Sequence, residues 1–116
     1  MSQLSEQTCS ACRADAAKVS AADANEKMTQ LPQWQVVQEN SVDRLIRVYS
    51  FKNFVEALQF TQAVGALAEK HQHHPALLTE WGKVTVSWWT HKINGLHEND
   101  FILAAKTDKI FQTTKA

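Results

Sequence analysis

The residues best suited to chemistry in this chain are the histidines. All five lie between positions 71 and 97, and three of them occur in the run His71-Gln72-His73-His74-Pro75. An imidazole with an ordinary pKa of about 6.5 holds either protonation state near neutral pH, so it can both donate and remove a proton. The cluster therefore favours acid–base chemistry. Taken singly, a histidine on a surface turn is more often solvated, and we place His71 and His97 in that class.

A metal site is the main alternative use of the same histidines, because neutral imidazole binds zinc, copper and nickel. His73 and His74 are adjacent and directly precede a proline, which favours extended backbone and divergent side chains. No acidic ligand accompanies them at the spacing of a metal motif. Cys9 and Cys12, the two cysteines, form a CSAC pair without a second ligand pair at zinc-site spacing. We therefore expect no metal ion.

The first half of the chain predicts a short helix followed by a β-hairpin. Ser20 with Asp23 three residues later is typical of an N-cap with an acidic first turn, and the helix should run to about Gln30 because Pro32 stops it. Two β-branched and aromatic runs, at 34–38 and 44–51, indicate the strands of the hairpin, and the polar stretch at 39–41 between them indicates its turn.

The second half predicts the longest helix, a second hairpin and a closing helix. Asn53 with Glu56 forms a capping-box-like start for a helix over about 53–71. Its apolar face carries Ala57, Phe60, Val64 and Leu67 at helical spacing. Two strands, at 77–81 and 84–88, lie on either side of Gly82. A turn at 94–95 and a last helix at about 98–112 follow.

This element order, α-β-β-α-β-β-α, predicts a single α+β domain. Each hairpin pairs locally, so a four-stranded antiparallel sheet with three helices packed on one face is the economical architecture. Residues 1–19 are rich in Ser, Ala and Cys and lack an apolar period, so we expect a flexible N-terminal tail before a domain spanning 20–116.

The charge balance argues against nucleic acid and membrane partners. The chain has 12 Lys and Arg against 12 Asp and Glu, with no basic run that could release counterions from a phosphate backbone. No apolar stretch approaches the ~20 residues of a membrane span. The N-terminus MSQLSEQTCSAC has neither a basic nor an apolar signal region, so we expect a cytoplasmic protein.

A longer pattern surrounds the histidines: Glu69-xxx-His73-His74-Pro75-xxxxx-Trp81-xxxxxxxxx-His91-xxxxxxxx-Asp100. It resembles the signature of the pterin-4a-carbinolamine dehydratase family. The flanking segments Leu31-Pro32-Gln33-Trp34 and Phe51-Lys52-Asn53-Phe54 are also similar to bacterial members, so the resemblance spans roughly residues 20–116. It implies a hydro-lyase with the same α+β fold. The implied reaction removes water from 4a-hydroxytetrahydrobiopterin to give quinonoid dihydrobiopterin, without metal or cofactor.

The same resemblance assigns site residues by position. His73, His74 and His91 match the family's three active-site histidines. Further residues match positions in or beside the pterin pocket: Glu69, Pro75, Thr90, Asp100 and, near its mouth, Trp34. We expect His73 and His91 to share the acid and base roles and His74 to orient the substrate. Asp100 could act on a nearby histidine, whereas Glu69 could be only a solvated helix end.

Three further expectations concern neighbouring residues and partners. Gln72 stands where animal members commonly have an acidic residue. The alternating strand pattern places Trp88 in the core, which leaves Trp34 as the aromatic pocket candidate. A free edge of the predicted sheet would let two copies join, so we expect a homodimer, with a tetramer, as in animal members, the alternative. The resemblance implies a link to phenylalanine hydroxylase in tetrahydrobiopterin recycling. It also leaves a different class of function open, a dimeric regulatory module acting on transcription or hydroxylase expression.

Overall fold

A computed structural model describes residues 20–115 of the chain. The predicted tail at 1–19, with Cys9 and Cys12, lies outside the described residues. The element order is α1 (Ala21–Met28), β1 (Gln35–Glu39), β2 (Val42–Ser50), α2 (Phe54–His71), β3 (Ala76–Glu80), β4 (Lys83–Trp88) and α3 (Glu98–Lys115), with a 3₁₀ turn at His91–Ile93 before α3. The predicted order α-β-β-α-β-β-α is confirmed.

The helix starts follow the predicted capping residues. Ser20 Oγ accepts the backbone N–H of Asp23 at 3.2 Å, and Asn53 Oδ1 accepts that of Glu56 at 2.9 Å. Each bond satisfies a donor that the first helical turn would otherwise leave unpaired. The Glu56 carboxylate of the expected capping box reaches one residue further back than Asn53, because its Oε1 accepts the backbone N–H of Lys52 at 3.4 Å.

The four strands form one antiparallel sheet in the order β1-β2-β4-β3. The β1–β2 turn is the two residues Asn40 and Ser41, both with positive φ, which matches the right-handed twist of the paired strands. At the β3–β4 turn Gly82 has φ +78°, and a Cβ there would stand 3.3 Å from the carbonyl oxygen of Phe51. Glycine satisfies both constraints because it has no Cβ.

The core lies between the helices and one face of the sheet. From β4 the alternating residues Val84, Val86 and Trp88 are fully buried, as period-2 alternation predicted. From α2 the buried residues are Ala57, Phe60, Val64 and Ala68, so the predicted stripe is confirmed in its first three members. Leu67 is only partly buried at its edge, because the stripe continues at the i+4 position.

A carboxylate on α3 ties that helix to the hairpin β1–β2. Asp108 Oδ1 accepts the indole N–H of Trp34 at 3.0 Å, the guanidinium of Arg47 at 2.6 Å and the hydroxyl of Tyr49. The Arg47 guanidinium also lies 4.2 Å from the centre of the Tyr49 ring. One partly buried oxygen therefore satisfies three donors from separate parts of the chain.

Asp108→Ala is expected to lower the free energy of unfolding by about 3 kcal/mol, because it strands a guanidinium and two neutral donors in a largely buried site. Asp108→Asn keeps an acceptor oxygen and should lose clearly less. Urea unfolding of both variants measures the difference. Equal losses for the two variants would contradict the assignment of Asp108 as the shared acceptor.

Burial, together with the neighbouring Asp108 carboxylate, raises the pKa of Tyr49 above its ordinary value of 10.0. Above pH ~10 the unfolded chain loses the phenolic proton while the folded chain keeps it, so stability falls as pH rises, by up to about 1.4 kcal/mol per pH unit. Tyr49→Phe should remove this component of the alkaline slope in urea unfolding. Tyr49 is the chain's one tyrosine, so tyrosinate absorbance reports its ionisation directly; titration near pH 10 in the folded protein would refute the expectation.

Candidate functional site

The end of α2 separates the two adjacent histidines. Gln72 caps the helix in the left-handed conformation with φ 52°, and the backbone N–H of His73 returns to the carbonyl of Ala68 at 3.1 Å. The turn directs His73 into the protein, where it is 4% exposed, while His74 stays at the surface. The divergence expected of adjacent side chains before Pro75 is thus present.

His73 pairs with a carboxylate that has no exposed surface. Its Nε2 lies 2.7 Å from Oδ1 of Asp100, in the first turn of α3. The other oxygen, Oδ2, accepts the Thr90 hydroxyl at 2.7 Å and the backbone N–H of His97 at 2.9 Å. A buried carboxylate is tolerated when such donors replace its water. Asp100 is therefore a junction between α2, β4 and α3.

The His73 ring is also held from one side by an aromatic residue of the core. It stacks on Trp88 with 5.8 Å between ring centres and 25° between planes. The Trp88 indole N–H donates to Oγ1 of Thr107 at 3.1 Å, and the Thr107 hydroxyl donates to the carbonyl of Leu103 at 2.7 Å. Stacking and the Asp100 contact together fix both the plane and the direction of the imidazole.

His74 has a different partner and a different environment. Its Nε2 contacts Oε2 of Glu69, one turn back on α2, and both side chains are more than half exposed. Exposed ion pairs contribute little to stability, because water competes for both charges. The pair is better suited to orienting a group at the surface than to holding the fold.

His91 comes from the opposite side, at the start of the 3₁₀ turn. Thr90 and Gly95 form an isolated antiparallel bridge, and Asn94 has positive φ, so the turn predicted at Asn94-Gly95 closes the loop. His91 Nε2 lies 3.1 Å from the backbone carbonyl oxygen of His74. Its ring centre is 4.4 Å from that of Trp89, with 36° between the planes.

The three histidines line one open cavity of about 290 Å³. Its lining residues are Gln72, His73, His74, Thr90, His91 and Lys92. Asp100, buried behind the lining, is the partner of His73, and the exposed Glu69 is the partner of His74. No group of three or more potential metal ligands occurs among the residues that the structure describes. The cavity therefore presents imidazoles in three distinct hydrogen-bonding environments.

The family model described as pterin 4 alpha carbinolamine dehydratase matches residues 17–110. The chain belongs to the pterin 4 alpha carbinolamine dehydratase family. The resemblance read from the histidine pattern is thereby confirmed.

Relatives match this family member along nearly all of both chains. A protein of Marinobacter nauticus, provisionally named a pterin-4-alpha-carbinolamine dehydratase, is 53% identical over 96% of this chain and 100% of its own. One from Nitrosococcus oceani with the same provisional name is 54% identical over 97% and 99%. These values support a pterin dehydratase role for the family member.

Solved structures show the same fold. The crystal structure of a transcriptional coactivator/pterin dehydratase from Brucella melitensis has a TM-score of 0.73 and 30% identity, covering 81% of this chain and 98% of that one. A pterin dehydratase-like RuBisCO assembly factor in the alpha-carboxysome has a TM-score of 0.57 at 20% identity, over 67% of this chain and 88% of that one, which shows a shared fold alone.

Four of the sequence-predicted site residues are not in the cavity lining of this dehydratase family member: Glu69, Pro75, Asp100 and Trp34. Trp34 is 3% exposed, and its indole binds Asp108, eight residues or about 12 Å along α3 from Asp100. Pro75 follows the histidine pair and is partly buried, but it is not among the lining residues. Their roles at a pterin pocket stay predictions.

Other residues at the site were given no catalytic or pterin-binding role by the sequence. Trp88 is buried in the core as predicted, and it is also the surface against which His73 stacks. Trp89 contacts His91, and the one sequence signal for it was its place two residues before that histidine. Gln72 and Lys92 line the cavity, and no spacing rule marked Lys92.

The remaining two histidines lie outside the cavity lining. His97 Nδ1 accepts the backbone N–H of Asn99 at 3.1 Å, at the start of α3. His71 lines a second, wider cavity of about 470 Å³ between α2 and α3, together with Lys70, Lys106 and Lys109. Burial there, with Lys106 and Lys70 nearby, lowers the pKa of His71. Neither residue is simply solvated.

No helix among the described residues has the length and apolar character that a membrane crossing requires.

Asp100→Asn is expected to lower the free energy of unfolding by about 1–3 kcal/mol, because an amide cannot accept from His73, Thr90 and the His97 N–H at once. Urea unfolding measures the loss. Asp43→Asn is the matched control, since Asp43 is an exposed aspartate with one exposed contact to Gln38, and it should stay within about 0.5 kcal/mol of wild type. Equal stability of the two variants would rule out a junction role for Asp100.

Proposed function

We propose that this protein dehydrates 4a-hydroxytetrahydrobiopterin to quinonoid dihydrobiopterin, by acid–base catalysis at His73, His74 and His91. The observation that carries the proposal is the convergence of these three imidazoles on one cavity, each with a different partner. A scaffold or pure interaction protein has no need of such an arrangement, and family membership gives the substrate class.

The substrate supplies the electrons that expel its hydroxyl group, so the protein has only to donate one proton and remove another. The N5 lone pair of the substrate expels the 4a-hydroxyl, the C4a–O bond breaks and a C4a=N5 double bond forms. The departing oxygen takes up one proton and N5 loses one, so the products are water and quinonoid dihydropterin. Positioned side chains that donate and remove these protons can each accelerate such a step by about 10²–10⁴-fold.

His91 is suited to the role of base. The carbonyl of His74 can only accept a hydrogen bond, so Nε2 of His91 carries the hydrogen in this contact. In the neutral ring Nδ1 then holds the lone pair. We assign to Nδ1 the removal of the N5 proton.

His73 is suited to the role of acid. Its Nε2 faces the Asp100 carboxylate, which balances the positive charge of the imidazolium form, and the ring is fixed by Trp88. We assign to His73 the donation of the proton that the departing hydroxyl takes up. His74, with Glu69 at the exposed rim, is assigned to orienting the pterin.

The wider biological setting is part of the proposal. Tetrahydrobiopterin recycling for phenylalanine hydroxylase is the expected context, the cytoplasm the expected compartment, and a homodimer the expected assembly. Thr90 in the cavity lining and Asp100 behind it support the site, while Pro75 and Trp34 are kept as pterin contacts that ligand binding would test. The Brucella melitensis relative is described as both coactivator and dehydratase, so a regulatory role is the second candidate.

The direct test follows quinonoid dihydropterin by ultraviolet absorbance after enzymatic generation of the 4a-hydroxytetrahydropterin. Wild type should accelerate dehydration over buffer, with or without EDTA. His73→Ala and His91→Ala should each lose about a hundredfold or more in kcat, the usual size of a missing acid or base. His71→Gln is the matched control, because His71 lines the other cavity, and it should retain full activity.

Folded wild type that does not accelerate dehydration would refute the enzyme proposal and leave the regulatory module as the better candidate. Equal losses in His71→Gln and the two site variants would refute the assignment of this cavity. Circular dichroism of each variant separates lost chemistry from lost fold.

A further inference from the structure

His91 poses a structural problem for a proton-transferring residue. It is exposed, at the first position of a three-residue 3₁₀ turn, and no carboxylate among the described residues is recorded as its partner. An exposed imidazole samples several rotamers, which scatters the direction of its basic nitrogen. Two contacts hold it: the His74 carbonyl at Nε2 and the ring of Trp89.

Trp89 is in turn held by a residue of the neighbouring strand. The Arg44 guanidinium carbon lies 4.0 Å from the centre of the Trp89 ring, within cation–π range. The position follows from register: Leu45 pairs with Trp88, so the residue before Leu45 lies beside the residue after Trp88. Arg44 is thus placed by the β2–β4 ladder itself.

The Arg44 side chain is itself largely buried, with 18% exposure, and pairs with Glu39 at 3.4 Å. Its Nε has no hydrogen-bond partner among the described residues. The Arg44 guanidinium is therefore held by its ion pair with Glu39 and by the aromatic face of Trp89, and not by a full set of hydrogen bonds. Leaving the Arg44 Nε without a partner costs free energy, and the aromatic face of Trp89 offsets part of that cost.

We propose that Trp89, held by Arg44, is a positioning residue that fixes the ring plane of His91 and so the direction of its Nδ1. The proposal rests on the proposed function in giving His91 a proton-transfer role. Trp89 acts through His91 and is not assigned to the pterin, because its aromatic surface is already in contact with Arg44 and His91. Arg44 reaches the site from a strand that lends no residue to the cavity lining.

The first measurement is nitrogen–proton correlation NMR of the full chain at a pH where His91 is neutral, with its signals assigned by loss in His91→Gln. Wild type should show the Nε2–H form of His91 and ring-current shifts from Trp89. In Trp89→Leu the ring-current shifts should vanish and the Nδ1–H form should appear beside the Nε2–H form. Trp89→Phe keeps an aromatic face and should preserve the wild-type pattern.

The second measurement is kcat and KM for dehydration. Trp89→Leu should lose about tenfold in kcat with KM within about threefold, because substrate contacts remain while the base is misdirected. Arg44→Gln should shift the same way by a smaller factor, and Trp89→Phe should stay within about threefold of wild type. The matched control is Trp81→Leu, a tryptophan of the same hairpin that is 75% exposed and makes no recorded ring contact.

Three results would overturn the inference: unchanged His91 signals in Trp89→Leu, a kcat loss equal to that of Trp81→Leu, or no rescue by Trp89→Phe. Wild type without dehydratase activity would refute the proposed function instead. The positioning claim would then be decided by NMR alone, where an unchanged tautomer ratio in Trp89→Leu counts against it.

Discussion

The buried carboxylate of Asp100 is the constraint on which the site depends. It has no exposed surface, so each of its oxygens must find donors inside the protein. Those donors come from three elements: His73 after α2, Thr90 after β4 and the His97 backbone before α3. Moving any one of these ends would remove a donor from a buried carboxylate, which costs free energy and so favours one geometry for the cavity between them.

Local chemistry made most of the fold predictable. Three kinds of local signal were confirmed: capping at Ser20 and Asn53, alternation in β4, and the turn at Asn94-Gly95. Each depends on residues a few positions apart, so it can be predicted from the sequence. Asp108 was not predictable in the same way, because its three donors lie 59 to 74 residues earlier in the chain. No spacing rule connects groups at that distance.

The candidate site shows the same difference between what the sequence pattern predicts and what only tertiary contacts determine. The family pattern located His73, His74, His91 and Thr90, and all four line one cavity. The Trp34 assignment came from the same resemblance, but the indole N–H finds its acceptor at Asp108, on the other part of α3. Trp89 was set aside in favour of Trp34, because its contact with Arg44 arises from the β2–β4 register, and register is a tertiary property.

The two aspartates of α3 connect that helix both to the β1–β2 hairpin and to the polar cavity. Asp108 gathers donors from the β1–β2 hairpin, and Asp100 gathers them from the cavity wall, about 12 Å apart on one rigid helix. The helix therefore transmits the position of the sheet to His73, since Thr107 between the two carboxylates also holds the Trp88 on which His73 stacks. His91 has no such link to α3 among the described contacts and depends on the sheet through Trp89. The two proposed proton-transfer residues are thus anchored to different layers of the fold, so their separation is set by how α3 packs on the sheet.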